Sequence, residues 1–191
     1  MKDGLGNLQD VFAVDAAHIK ANNIIVKSDD EEQHASKPTT GVVLAICGKG
    51  AANESVLLGF CIGQSESKEL ILLFLAFLAD NGIVIDQPQY TVLGDRGRAI
   101  VAALGDALIT ALFMYCEQHL KRNLKGQDFK ATDDLLGDYS AIVNAVTEDE
   151  FIRRMDLLKV KCPQMHTYLS NVDPTGNWVL WKAIQGLFHY V

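Results

Sequence analysis

Basic charge is what this 191-residue chain has least of: 17 Lys and Arg stand against 24 Asp and Glu, a formal net charge of −7. This excludes a broad basic surface. Phosphate contacts dominate nucleic-acid affinity and draw on an excess of Lys and Arg, so any nucleic-acid role must rest on local basic patches. Cysteine is sparse as well, with Cys47, Cys61, Cys116 and Cys162. Three of them lie in apolar, strand-like runs and their spacing is no disulfide framework, so a reduced, intracellular compartment is the expectation. The start, MKDGLGNLQD, lacks the apolar core of a secretory leader. The most apolar run, LILLFLAFLA (70–79), is about half the ~20 residues that span a bilayer. It reads as a buried helix, and no membrane role is expected. There is no internal repeat and no low-complexity tract.

What is present is an ordinary globular composition, 49% hydrophobic and 21% charged, in a length that suits one domain. DVFAVD (10–15) is a short β-type run ending at Asp15. KSDDEEQHASKPTT (27–40) carries a run of acids, Pro38 and no apolar period, and is expected to be an exposed insertion. GVVLAICGKG (41–50) and ESVLLGFCIGQ (54–64) flank the turn KGAAN and read as a hairpin. A helix is expected over 65–82, capped by Ser65 or Ser67 and ended at Asn81-Gly82. YTVLGD (90–95) reads as a strand, RGRAIVAALGDA as a helix and TALFMYC (110–116) as a strand, with helices from there onward. The order β-β-β-α-β-α-β predicts a meander followed by two crossovers. Such crossovers join parallel strands. The fold class is therefore α/β, with a mixed five-stranded sheet covered by helices on both faces. The ribonuclease H-like three-layer fold is the leading match. Residues 10–126 would form the core with its first following helix, and 127–191 a helical C-terminal part of the same domain.

In such a sheet, ligands meet side chains at the C-terminal ends of the parallel strands. Asp15 and Asp95 both end apolar runs. If their strands are neighbours the carboxylates face each other, and two close carboxylates favour a cation between them. Mg²⁺ suits hard oxygen ligands, and a pair of such ions suits phosphoryl transfer. The bland alternative for Asp95 is a cap on the following helix. For Asp15 it is a polar turn. Cys116 and His119 form a Cys-x-x-His at a strand-to-helix junction, which reads either as support for the site or as a core cysteine with a hydrogen-bonded histidine. A tetrahedral zinc set of Cys116, His119, Cys162 and His166 is chemically sensible but disfavoured, because two loose pairs seldom converge.

VDAAHIKA, GVVLAICG, VLLGFCIGQSESKELILLFLAFL, TVLGDRGRAIVAAL and MYCEQHLKRNL, in this order and spacing, resemble the transposase domain of Mutator-like elements. The likeness runs from about residue 10 to the C-terminus. It implies a ribonuclease H-like core with an Asp-Asp-Glu triad. It implies Mg²⁺- or Mn²⁺-dependent DNA strand cleavage and transfer at transposon ends, with DNA as partner, a nuclear or otherwise intracellular location, and room for a homo-oligomer. The resemblance assigns Asp15 and Asp95 as the first two acids, both metal-binding. The third comes from AVTEDEFIRRM, among Glu148, Asp149 and Glu150. Glu150 is preferred because it directly precedes Phe151, with Glu148 next. The plain alternative is that all three are first-turn acids of a helix.

Three basic clusters track these acids: Arg96 and Arg98; Lys121, Arg122 and Lys125; and Arg153 and Arg154. Arg96, Arg98, Lys121 and Arg122 are the candidates for the DNA backbone, against a reading as solvated helix faces. The zinc modules that usually flank such cores have no counterpart here. The chain therefore resembles an isolated core: a fragment, a decayed copy or a domesticated gene. The alternative is a domesticated or truncated transposase-derived protein that is non-catalytic and serves as an interaction or regulatory module.

Overall fold

The computed structural model describes residues 8–20, 40–173 and 177–188. The expected acidic insertion lies, up to residue 39, outside the described residues. The sheet contains β1 (Leu8–Lys20), β2 (Thr40–Gly50), β3 (Ser55–Gly63), β4 (Thr91–Gly94) and β5 (Leu112–Tyr115). Helix α1 (Lys68–Asp80) joins β3 to β4, and α2 (Arg98–Ala107) joins β4 to β5. Among the described residues five helices follow: α3 (Glu117–Lys125), α4 (Asp133–Val143), α5 (Glu148–Lys161), α6 (Pro163–Ser170) and α7 (Leu180–Phe188). The strand order is β3-β2-β1-β4-β5. β1–β2 and β2–β3 pair antiparallel, and β1–β4 and β4–β5 pair parallel. The chain is thus α/β with a mixed five-stranded sheet, as the sequence order implies.

β1 is longer than its apolar run. It continues past Asp15 to Lys20 because β2 goes on pairing with it, Asp15 opposite Ala45 and Lys20 opposite Thr40. On its other side β4 stops at Gly94. Asp15 is therefore not at the end of its strand. It lies where the neighbouring parallel strand ends.

Period-2 alternation decides the two faces of the sheet. Phe12 and Val14 of β1, Leu44 and Ile46 of β2 and Val92 of β4 are buried against Ile71, Phe74, Leu75 and Leu78 of α1 and Ile100, Ala103 and Leu104 of α2. Each side chain buried in this way contributes roughly 1.5–3 kcal/mol. Ser67 caps α1, its Oγ accepting from the Leu70 N–H at 3.2 Å. On the opposite face, β3 leaves Leu57, Phe60 and Ile62 57%, 59% and 66% exposed. A second core lies beyond β5. There Leu120, Leu124, Tyr139, Ile142, Leu158, Met165 and Trp178 pack together. Tyr115 packs against this second core, and its N–H donates to the Asn177 carbonyl at 2.7 Å.

One carboxylate ties the α1–β4 loop to the α2–β5 loop. Asp86 Oδ1 accepts from the N–H groups of Ile109 (3.0 Å), Thr110 (2.7 Å) and Ala111 (2.8 Å) and from the Thr110 hydroxyl (3.0 Å). Burial raises its pKa, but these donors outweigh burial and hold it below the ordinary 3.8. A depressed folded pKa gives stability that is present above the unfolded value and lost as pH falls through the folded one. Asp86→Ala should cost about 1–3 kcal/mol at neutral pH in denaturant unfolding. It should also flatten the decline in stability below the ordinary carboxylate pKa.

Candidate metal centre

The parallel register places the first two acids side by side. Val11, Phe12 and Ala13 of β1 pair with Thr91, Val92 and Leu93 of β4. Two positions further on, Asp15 stands level with Asp95. Val14 is buried among α1 and α2, so alternation turns Asp15 to the opposite side, where its side chain is 58% exposed. Gly94 precedes Asp95 because α2 packs close there. A Cβ at Gly94 would lie 3.0 Å from both Ile100 Cγ2 and Phe113 Cε2.

Asp95 does not cap α2. The N-cap is Gly97, and no side chain caps the helix. The Asp95 Oδ1 instead accepts from the Gly97 N–H at 2.6 Å, two residues on, forming an Asx turn. This turn fixes the carboxylate at the sheet end.

The third member comes from the next strand-to-helix junction. The Cys116 N–H donates to the Gly94 carbonyl at 2.7 Å, extending the β4–β5 ladder by one residue. Cys116 is the N-cap of α3, and His119 follows within the first turn. His119 Nε2 lies 3.7 Å from Asp15 Oδ1, and its Nδ1 is buried without a hydrogen-bond partner. One ligand atom from each of Asp15, Asp95 and His119 lies within 4.8 Å of the others. Donor atoms gathered this closely can share one cation at metal–oxygen distances of about 2.1 Å. Two carboxylates and an imidazole therefore fit a small divalent cation.

Glu66 joins this end of the sheet, a residue not singled out from the sequence. Burial, then Asp95, then Asp15 push its carboxyl pKa up, and His18 partly offsets them. Among the described residues no Lys or Arg pairs with Asp15, Asp95 or Glu66. Strand order was the signal available for Glu66. A three-strand meander returns β3 parallel to β1, so the residues after β3 emerge beside Asp15.

The acid expected to complete the triad is not gathered here. Glu150 lies in the first turn of α5, where its N–H donates to the Thr147 Oγ1 cap at 3.2 Å. Its carboxylate accepts from Arg154 Nε and Nη2, at 3.0 and 2.6 Å, and from the Val146 N–H at 3.3 Å. Arg154, then the Val146 N–H, hold its pKa below the ordinary range. Glu148 and Asp149 are exposed first-turn acids of the same helix. The spacing Thr-x-x-Glu is a capping box, and that is what the stretch serves.

The zinc set does not assemble. Among the described residues the only cluster with metal-holding geometry is the Asp15–Asp95–His119 one. Cys162 is buried in the second core, its Sγ within 3.8 Å of Gln164 Oε1. Of the basic candidates, Arg98 and Arg122 are exposed, Lys121 is half-buried, and Arg96 donates to the Tyr168 hydroxyl at 3.3 Å. Comparison with protein-family models gives no match to this chain, and a search of curated proteins gives none either.

Removing the α5 cap separates the helix from the centre. Thr147→Ala should lower stability by about 1 kcal/mol in urea unfolding. Glu150→Gln should lower it too, and should remove stability that wild type loses as pH falls through the depressed Glu150 pKa. Neither variant should change divalent-metal uptake measured by calorimetry.

Proposed function

We propose that this chain is a ribonuclease H-like catalytic core that cleaves and joins DNA strands with Mg²⁺ or Mn²⁺, in the manner of the Mutator-like transposases its motifs resemble. The observation that carries the reading is the meeting of Asp15, Asp95 and His119 within 4.8 Å, at the sheet end where β1 and β4 run parallel. When bound, the cation would supply Lewis-acid stabilisation of charge on a phosphate and activation of an attacking hydroxyl. Asp15 and Asp95 would hold it through oxygen and His119 through nitrogen. The Asx turn fixes one carboxylate and the β1 register fixes the other, so both are preorganised before a substrate arrives. The exposed Arg98 and Arg122 supply positive charge for a phosphate backbone, with Lys121 beside them.

A second reading, a non-catalytic interaction module on the same fold, is favoured by the exposed Leu57, Phe60 and Ile62 on the β3 face. Contiguous apolar exposure of this kind marks contact surfaces.

Metal-dependent cleavage and strand transfer of transposon-end DNA separates the two. Asp15→Asn and Asp95→Asn should each lower the rate by at least about 100-fold, the upper range even for an outer-shell partner. Folding, read by circular dichroism, should be retained. Absence of cleavage in wild type with both Mg²⁺ and Mn²⁺, and no change in metal uptake in either variant, would leave the interaction reading.

A further inference from the structure

We propose that the β3 edge is a docking strand for a segment of another protein: a short, continuously apolar, extended stretch with Lys or Arg at its ends. This names a partner for the exposed β3 side chains and holds whether or not the metal centre is catalytic. Among the described residues β3 is an edge strand, next to β2 alone. Its sequence, SVLLGFCIG, has no charged residue and no proline, two devices that keep an edge from pairing. Its outer N–H and C=O groups can therefore take up one more strand.

The edge is apolar on both sides, and that sets the pattern of the incoming strand. On one side stand Leu57, Phe60 and Ile62. Over the other lies α1. A Cβ at Gly59 would come 2.8 Å from Leu78 Cδ2, and a Cβ at Gly63 would run into Leu70. The two glycines thus let α1 settle directly on β3. The flank of α1 turned to α2 is marked by the Lys68–Asp106 pair, and by the cavity that Leu72, Ala76 and Ala79 line with Ala107 and Leu108. At about 3.6 residues per turn, Leu73 and Phe77 fall on the other flank. They are 69% and 61% exposed and overhang the edge. A strand added here would be covered on both faces, and such strands are continuous apolar runs, not alternating ones.

Charge selects against a second copy and for a basic partner. Glu54 stands at the start of β3, Asp80 at the end of α1 above it, and Glu69 at the opposite end. All three are exposed and have no Lys or Arg partner among the described residues. Of the nearby lysines, Lys68 is held by Asp106, and Lys49 donates to the Asn53 carbonyl at 3.1 Å. Two copies meeting at this edge would set acid against acid, on chains that each carry −7. A strand with basic ends meets opposite charge at both ends.

Fluorescence anisotropy with the whole chain and labelled synthetic peptides tests this. The probe has a Val/Ile run of about six residues, a usual strand length, between Lys pairs. It should bind saturably at low salt. The same run between Glu pairs should bind at least about 10-fold more weakly, and a version with Pro at its centre should not bind. Phe60→Lys and Phe77→Lys, on the two sides of the edge, should each weaken binding of the Lys-flanked peptide by about 10-fold or more. Val160→Lys, at an exposed position of α5, should leave it unchanged, and circular dichroism should show all these variants folded. In wild type, without any substitution, the peptide should slow hydrogen exchange of the β3 amides; unchanged exchange overturns the assignment. No binding of the Lys-flanked peptide, or equal binding of the Glu-flanked or Pro version, overturns it too. So does weakening by only one of Phe60→Lys and Phe77→Lys, because the dock would then be one-sided. If sedimentation shows that wild type dimerises and Phe60→Lys does not, the occupant is a second copy and the assignment fails. If β3 amides in the free monomer are as protected as those of β2, the chain covers its own edge and the assignment fails.

Discussion

The structure depends on the two-sided pairing of β1. On one flank it pairs with β2 along nearly its whole length, and on the other it meets β4 through three residue pairs. That imbalance creates the site. Past Ala13 the strand is still held straight by β2 but has lost its parallel neighbour, so Asp15 faces a gap that Asp95 borders. A slip of one residue would turn every side chain of β1 to the other face. Asp15 would then point into the core that Phe12 and Val14 fill. A lone carboxylate cannot be buried there at tolerable cost. The hydrophobic alternation that builds the core is therefore also what aims the acid outward.

A second dependence follows from the two cores. Asp15 and Asp95 are placed by the core beneath the sheet. His119 is placed by α3, whose Leu120 and Leu124 belong to the C-terminal core. The two bodies are joined by specific polar contacts close to the site. Arg96 reaches the Tyr168 hydroxyl, and the Tyr115 N–H donates to the Asn177 carbonyl at 2.7 Å; within the C-terminal core the Tyr139 hydroxyl donates to the Glu117 carbonyl at 3.2 Å. The Tyr139 pKa is pushed up by burial, and then by Glu117, so the hydroxyl keeps its proton and its role as donor. The distance between histidine and carboxylates is thus a property of how the two cores dock. Neither core sets it alone.

Much of this was legible before any coordinates. Alternating apolar residues and turn signals gave the strands, and the crossovers gave the parallel pairs. Those pairs were enough to bring Asp15 and Asp95 together, and the Cys-x-x-His of the family resemblance pointed to His119. Three features were harder to read. The length of β1 beyond Asp15 depends on pairing with β2, which leaves no mark in the mostly polar residues after Ala17. The role of Asp95 turned on whether its oxygen reaches two residues on or into the helix, a choice of one backbone turn. The third acid was sought by resemblance in the first turn of α5, where local chemistry supplies a complete alternative. Thr147, Glu150 and Arg154 satisfy one another at capping-box and i,i+4 spacings. Glu66 has no such local partner among the described residues, and it comes near Asp95 and Asp15 only once the meander carries it across the sheet.

The open face of β3 has a consequence for the protein in solution. Among the described residues β3 is an edge strand, and its outer row of N–H and C=O groups meets no other described strand. Beside that row stand Leu57, Phe60 and Ile62. An apolar edge of this kind is a template for strand addition between copies. The irregularity between Ile46 and Cys47 in the β2–β3 ladder disturbs the register that a second copy would have to match. The charge of −7 keeps copies apart through repulsion that ionic strength screens, with a Debye length of about 10 Å at 0.1 M salt. The shortage of basic residues thus acts as a colloidal safeguard for an apolar sheet edge that no other described strand pairs. The safeguard weakens as salt rises, or as pH falls toward the point where the acids lose their charge.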